Sequence, residues 1–269
     1  MGPPMKKWTT GGIVALCCAS LAFAHDTWVQ TNTNIVRVGD AIHVDLMLGN
    51  HGNDHRDFKL AGKVDPAAIT LGVVGPDGKR HDLKPALADL GYAPKEGYWT
   101  TKFVPDKPGL YTIAQTSDAV VTYAPTRSVK SGKGYFVASK SLDTVPVNNP
   151  GFDKPLGHAL ELVPLTNPVT PMGPGTPLKV KLIYKGKPLA DEKVSFIPRG
   201  QTLKEGFDEQ FDRKTDKDGV ATFEPKDANY YLVVAHRAED GEAGANYTST
   251  KYSATMSLFV PAICPCCGE

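Results

Sequence analysis

The chain has 269 residues, enough for one large domain or two of ordinary size. A hydrophobic content of 41% and a charged content of 22% fit a folded globular protein, and 30 basic against 29 acidic side chains exclude a broad cationic face for nucleic acid or anionic membranes. The 26 Gly and 22 Pro imply frequent turns and favour an all-β protein.

The first 24 residues read as a secretory leader. Lys6 and Lys7 form a basic start, Gly11 to Phe23 is apolar but too short to span a bilayer, and Ala22-Phe23-Ala24 fits a small-x-small cleavage site. A lipoprotein leader fits less well, because Leu16 precedes Cys17 where that processing wants a small residue. Cleavage after Ala24 makes His25 the first residue. Removing Lys6 and Lys7 with the leader leaves 28 basic against 29 acidic side chains. It also removes Cys17 and Cys18, so the remaining cysteines are Cys264, Cys266 and Cys267. The expected location is the periplasm, with no membrane-spanning segment in the mature chain.

Strand signals fill residues 25–142. Asn34–Val38 is a β-branched run. Ile42–Leu48 alternates, with Ile42, Val44, Leu46 and Leu48 on one face and His43, Asp45 and Met47 on the other, the period of a half-buried strand. Ile69–Val74, Gly97–Val104, Leu110–Gln115 and Gly134–Ser139 follow, separated by turns at Pro76-Asp77-Gly78 and Asp106-Lys107-Pro108-Gly109. Pro85–Leu90 is the best short helical candidate. Pro108 to Ile113 resembles the turn-into-strand phrase of immunoglobulin-like sandwiches, with Tyr111 at a sandwich corner.

Residues 143–157 are rich in Pro, Asn and Gly and read as a linker. A second set of strands is expected over 158–262: His158–Val163, Leu178–Tyr184, Lys193–Ile197, Val220–Phe223, Tyr230–His236 and Tyr252–Val260. Residues 263–269 form a Cys-rich tail. The fold expected is two immunoglobulin-like or transthyretin-like β-sandwich domains after a signal peptide.

Several phrases carry a family resemblance: Ala24-His25-Asp26-Thr27-Trp28, Gly157-His158-Ala159-Leu160-Glu161-Leu162-Val163-Pro164, Thr215-Asp216-Lys217-Asp218-Gly219 and Tyr252-Ser253-Ala254-Thr255. Together they resemble the DUF4198, or NikM-like, family of exported bacterial proteins, over essentially the whole mature chain. The resemblance implies an envelope β-sandwich linked to nickel and cobalt uptake. It supplies no catalytic residues.

Three constellations could bind a metal. A free His25 offers its α-amino nitrogen and Nδ1 to one ion, and a further imidazole would complete a histidine brace suited to Cu(II) and tolerable for Ni(II). The segment Gly49-Asn50-His51-Gly52-Asn53-Asp54-His55 reads as a loop that can fold His51 and His55 onto one ion; its bland reading is a polar hairpin tip. Cys264, Cys266 and Cys267 offer thiolates, against disulfide formation or a flexible tail. His158 and His236 read as strand-end or core residues, and Trp28 and Trp99 as core rather than a carbohydrate surface. The chain lacks GxSxG, a phosphate-binding Gly loop and HExxH.

The favoured reading is a non-enzymatic periplasmic protein that captures Ni(II), Co(II) or Cu(II) through His25, with His51 or His55 as partner, for a membrane transporter. The alternatives are an envelope scaffold or adhesion sandwich without metal, and a histidine-brace copper oxidase.

Overall fold

A computed structural model describes residues 2, 25–49, 51, 64–93, 96–121 and 123–264. The N-terminal half supplies β1 (Asp26–Thr31), β2 (Ile35–Arg37), β3 (Ile42–Gly49), β4 (Ile69–Val74), β5 (Arg80–Asp82), β6 (Ala88–Ala93), β7 (Glu96–Phe103), β8 (Gly109–Val120) and β9 (Thr126–Ser139). The C-terminal half supplies β10 (Leu160–Pro164), β11 (Leu178–Tyr184), β12 (Lys187–Pro188), β13 (Lys193–Pro198), β14 (Asp212–Lys214), β15 (Val220–Phe223), β16 (Asn229–Glu239) and β17 (Ser249–Val260). The helical reading of Pro85–Leu90 does not hold. Pro85 sits in a short 3₁₀ turn, Lys84–Ala86, and Leu87 is already extended. The chain then enters β6, where Asp89 faces Trp99 of β7.

Three sheets build an all-β sandwich architecture. Strands β1, β3, β7 and β6 form one sheet, in that order. A second runs β14-β13-β16-β17-β9-β8-β4-β5, with β2 also on β9. The third has β10, β11 and β12 in order, with β15 also on β11. Among the described residues, all strand pairings are antiparallel except those of β9 with β17 and with β2. The β9–β17 pairing carries one sheet from the N-terminal half into the C-terminal half.

Two apolar cores lie on opposite faces of that shared sheet. The first joins Val29, Ile42, Val44 and Leu46 to Leu71, Val73, Ile113 and Phe136. The second joins Leu160, Leu162, Val180 and Leu182 to Phe196, Val233, Ala254 and Met256. Strand β9 serves both: Phe136 and Ala138 enter the first core, Tyr135 and Val137 the second. Ser131 to Ser139 is therefore buried without a break, as expected of a strand covered on both faces.

Each half carries the same corner device. Tyr111 donates its hydroxyl to the Lys107 carbonyl at 2.9 Å, and Tyr231 donates to the Asp227 carbonyl at 3.0 Å. Both bonds reach four residues upstream, the tyrosine-corner pattern of immunoglobulin-like sandwiches. Tyr111 also stacks on Phe136 at 4.9 Å.

Candidate functional site

The site forms where β1 crosses the shared sheet. Alternation along β1 sends Thr27 and Val29 one way and Asp26 and Trp28 the other. Val29 enters the N-terminal core, and Thr27 Oγ1 donates to Gln115 Oε1 at 3.2 Å. Trp28 is 0% exposed and packs with Met47, Leu232 and Val234. The tryptophan is core, because β16 presents its Leu232–Val234–His236 face to β1.

A row of hydroxyls on β17 holds β1 in place. Ser253 Oγ donates to Asp26 Oδ1 at 2.7 Å, Thr255 Oγ1 to the Thr27 carbonyl at 2.8 Å, and Ser257 Oγ to the Val29 carbonyl. The crossing is tight. A Cβ on Gly132 would lie 3.0 Å from Thr255 Oγ1, and one on Gly134 would lie 3.2 Å from Ser257 Oγ and 3.3 Å from the Val29 carbonyl oxygen. Glycine at these two positions lets β1 approach β9.

Asp26 is the electrostatic centre. His236 Nε2 lies 2.9 Å from its Oδ1 and 3.1 Å from its Oδ2. Burial pushes the carboxyl up, but His236 first, then Lys130 and Ser253, outweigh it and hold Asp26 below the ordinary carboxylate range. Lys130 donates Nζ to the His25 carbonyl at 2.9 Å. Burial lowers the Lys130 ammonium, and the Asp26 charge opposes that. His25 itself is half-buried at the entrance to this cluster.

His51 lies nearby, two residues past Gly49, which pairs with Asp26 across β1 and β3. It is 2% exposed, with a left-handed backbone at φ 62°. Its Nδ1 is 3.0 Å from the Ile197 carbonyl, and its ring meets Trp28 edge-on at 5.5 Å. A carbonyl can only accept, so Nδ1 carries the proton and Nε2 is the bare nitrogen of a neutral ring. Burial, and then the Arg199 charge, push His51 down to about 3, against a small rise from the Ile197 carbonyl.

Chemically, the cluster is a clamp and not a nucleophile relay. In a relay the serine bonds the histidine; here Ser253 and His236 both bond Asp26. Among the described residues, no three His, Cys, Asp or Glu side chains are grouped to hold a metal. The expected ligands distribute as follows. His25 adjoins the clamp and His51 lies at the same end of β1, while His55 is outside the described residues. Cys264 is disulfide-bonded, and Cys266 and Cys267 are outside the described residues. Sequence reasoning missed Asp26, Lys130 and Ser253, and read His236 as a core or strand-end residue without its carboxylate partner. The available signal was the Leu232–Val234–His236 face, which needs an opposing strand to bury it.

The other phrases singled out in the sequence are local structure. Asp216 Oδ1 accepts from the backbone of Asp218 and Val220, each at 2.9 Å, closing the turn into β15. Glu161 folds back to accept from the backbone N–H groups of Leu156, Gly157 and His158.

The family model for a domain of unknown function, DUF4198, matches residues 22–239. This chain belongs to the DUF4198 family. The match begins just before β1 and ends with β16, so it takes in Asp26, Lys130 and His236 of the clamp. Comparison of the DUF4198 chain with curated proteins gives no match. Among solved structures, the D0–D1 domain of intimin is 14% identical, with a TM-score of 0.26, over 87% of this chain and 99% of that one. A DUF4785 family protein from Legionella pneumophila is 12% identical, with a TM-score of 0.28, over 77% of this chain and 50% of the other. A Salmonella α-2-macroglobulin is 15% identical, with a TM-score of 0.27, over 87% of this chain and 15% of the other. Likenesses this distant transfer no function. Among the described residues, no helix is long and apolar enough to cross a membrane.

Proposed function

We propose that this DUF4198 protein is exported, processed after Ala24, and uses the freed His25 terminus to capture Ni(II), Co(II) or Cu(II) in the periplasm for a membrane uptake system. The observation that carries the reading is the Asp26–His236 bond. It fixes an imidazole beside the residue that follows His25. A metal-ligating histidine is commonly oriented in this way, by a carboxylate on its second nitrogen. The freed amine and Nδ1 of His25 would supply a chelate, and the Lys130 bond to the His25 carbonyl restrains that chelate before any ion arrives. His236 thus joins His51 and His55 as a candidate third nitrogen. His51 suits the role in its tautomer, because its Nδ1 is engaged and its Nε2 is bare. While Ala24 is attached, the nitrogen is an amide and the chelate does not exist. Processing therefore switches the site on.

The experiment is metal analysis of the protein recovered from its own periplasm. Stoichiometric Ni, Co or Cu in the processed chain supports the reading. A processed chain that carries no metal, and binds none on titration, returns the protein to the envelope-scaffold reading. In that case the clamp serves only to dock β1.

A further inference from the structure

A second polar cluster lies away from β1, inside the C-terminal sandwich. Lys133 of β9 and Glu161 of β10 come from opposite sheets and are in contact, with side chains 2% and 1% exposed. Their charged ends touch, yet the Lys133 nitrogen is not directed along a hydrogen bond. Two full charges this deep carry a heavy desolvation cost, which a neutral bond between the same atoms would remove. Hydrogen-bond donors line the carboxyl group of the pair. Backbone N–H groups of Leu156, Gly157 and His158 converge on the Glu161 carboxyl oxygens, where negative charge grows when a nucleophile adds. The buried His158 Nδ1 makes no hydrogen bond within the protein. Burial first, and then Lys133 and Arg80, lower His158 against the pull of Glu161, which leaves the pair beside a neutral ring. Burial also lowers the Lys133 ammonium, which makes the amine nucleophile accessible.

We propose that Lys133 and Glu161 condense into an intramolecular amide that ties β9 to β10 across the C-terminal core. Lys133 first passes one proton to the Glu161 carboxylate. The amine nitrogen then attacks Cδ and a C–N bond forms, with the negative Oε2 held by the backbone N–H groups of Gly157 and His158. A second proton moves from nitrogen to the protonated oxygen, the C–O bond breaks, and water leaves. The amide keeps one hydrogen on nitrogen. Both protons lost from the ammonium depart in that water, so no oxidant or co-reactant is required. The same N–H groups favour the carboxylate form of Glu161, so the first proton transfer sets the pace.

The test is mass spectrometry of the reduced, denatured full chain. The expected mass is one water below that of the sequence, and proteolysis should yield a branched peptide joining the segments that carry Lys133 and Glu161. Lys133→Met should show its full sequence mass. If that variant does not fold, the wild-type digest decides alone. Wild-type protein at full mass, with both segments recovered separately, overturns the proposal and leaves a buried ion pair.

Discussion

Asp26 and His236 stand 210 positions apart in sequence and meet at 2.9 Å, so the first strand of the fold is locked to the sixteenth. Ser253 adds a second bond to the same carboxylate from the last strand. The first strand and the hairpin of β16 and β17 thus share one part-buried charge.

The clamp should therefore be measurable as stability. Asp26→Asn keeps the shape but loses the charge that His236 and Lys130 face, and should cost about 1–3 kcal/mol in urea denaturation. Ser253→Ala removes one hydroxyl and should cost about 1 kcal/mol. The two effects should be non-additive, because both act on one oxygen of Asp26. Additive losses would mean that the shared carboxylate is not the coupling element.

Acid should loosen the same end of β1. His51 is neutral in the fold down to about 3, whereas its ordinary value is 6.5. The unfolded chain therefore takes up a proton that the folded chain refuses, and stability falls as pH drops from about 6.5 toward 3. The loss from His51 alone should reach about 3 kcal/mol by about pH 4. Asp26 extends the loss further into acid. Its folded value is lowered, so the stability it adds is present above the ordinary 3.8 and disappears as pH falls through the lower folded value. His51→Asn tolerates the left-handed backbone and should flatten the upper part of this profile. An unchanged slope between about pH 6.5 and pH 4 in that variant would count against His51 as the sensor.

Both tyrosine corners should matter, and independently. Tyr111→Phe and Tyr231→Phe each remove one hydroxyl bond to a backbone carbonyl, at 2.9 and 3.0 Å. Each should cost about 1 kcal/mol, and the double variant should show close to the sum, because the corners lie in different cores. The check is the shift in denaturation midpoint at unchanged slope.

Much of this architecture was legible in the chain. Ile42–Leu48 alternates as a strand with one face in a core, and Pro108-Gly109-Leu110-Tyr111 announces its corner. The site was less legible because its strands break the rule of polar-out alternation. Ser253, Thr255 and Ser257 look solvent-facing by period, yet they are turned onto β1 and satisfy its carbonyls and Asp26. Strand β1 itself, Asp-Thr-Trp-Val-Gln-Thr, is covered on both faces and shows no clean alternation. The partner of Asp26 could not be read locally, because register fixes neighbours within a sheet but not which strand crosses over it.

The break at residues 143–157 invites proteolysis, but the halves share a sheet. Thr126 to Lys133 of β9 pair with Ser249 to Met256 of β17. A chain nicked between residues 143 and 157 should therefore remain one particle on native size exclusion and separate only in denaturant. Two fragments that part under native conditions would show that the parallel pairing and the β1 clamp are weak.

The central claim concerns the amino group created by processing. Isothermal titration of Ni(II) and Cu(II) into the chain beginning at His25, and into one with a single extra residue ahead of it, tests that claim most directly. The account predicts tight, near-equimolar binding to the first and a loss of at least about tenfold in the second, equivalent to about 1.4 kcal/mol. His236→Ala should weaken the first chain, whereas serine at positions 264, 266 and 267 together should leave it unchanged. Equal binding by the His25-first and extended termini, with the loss appearing only in the thiol-free variant, would contradict the account and move the metal to the tail.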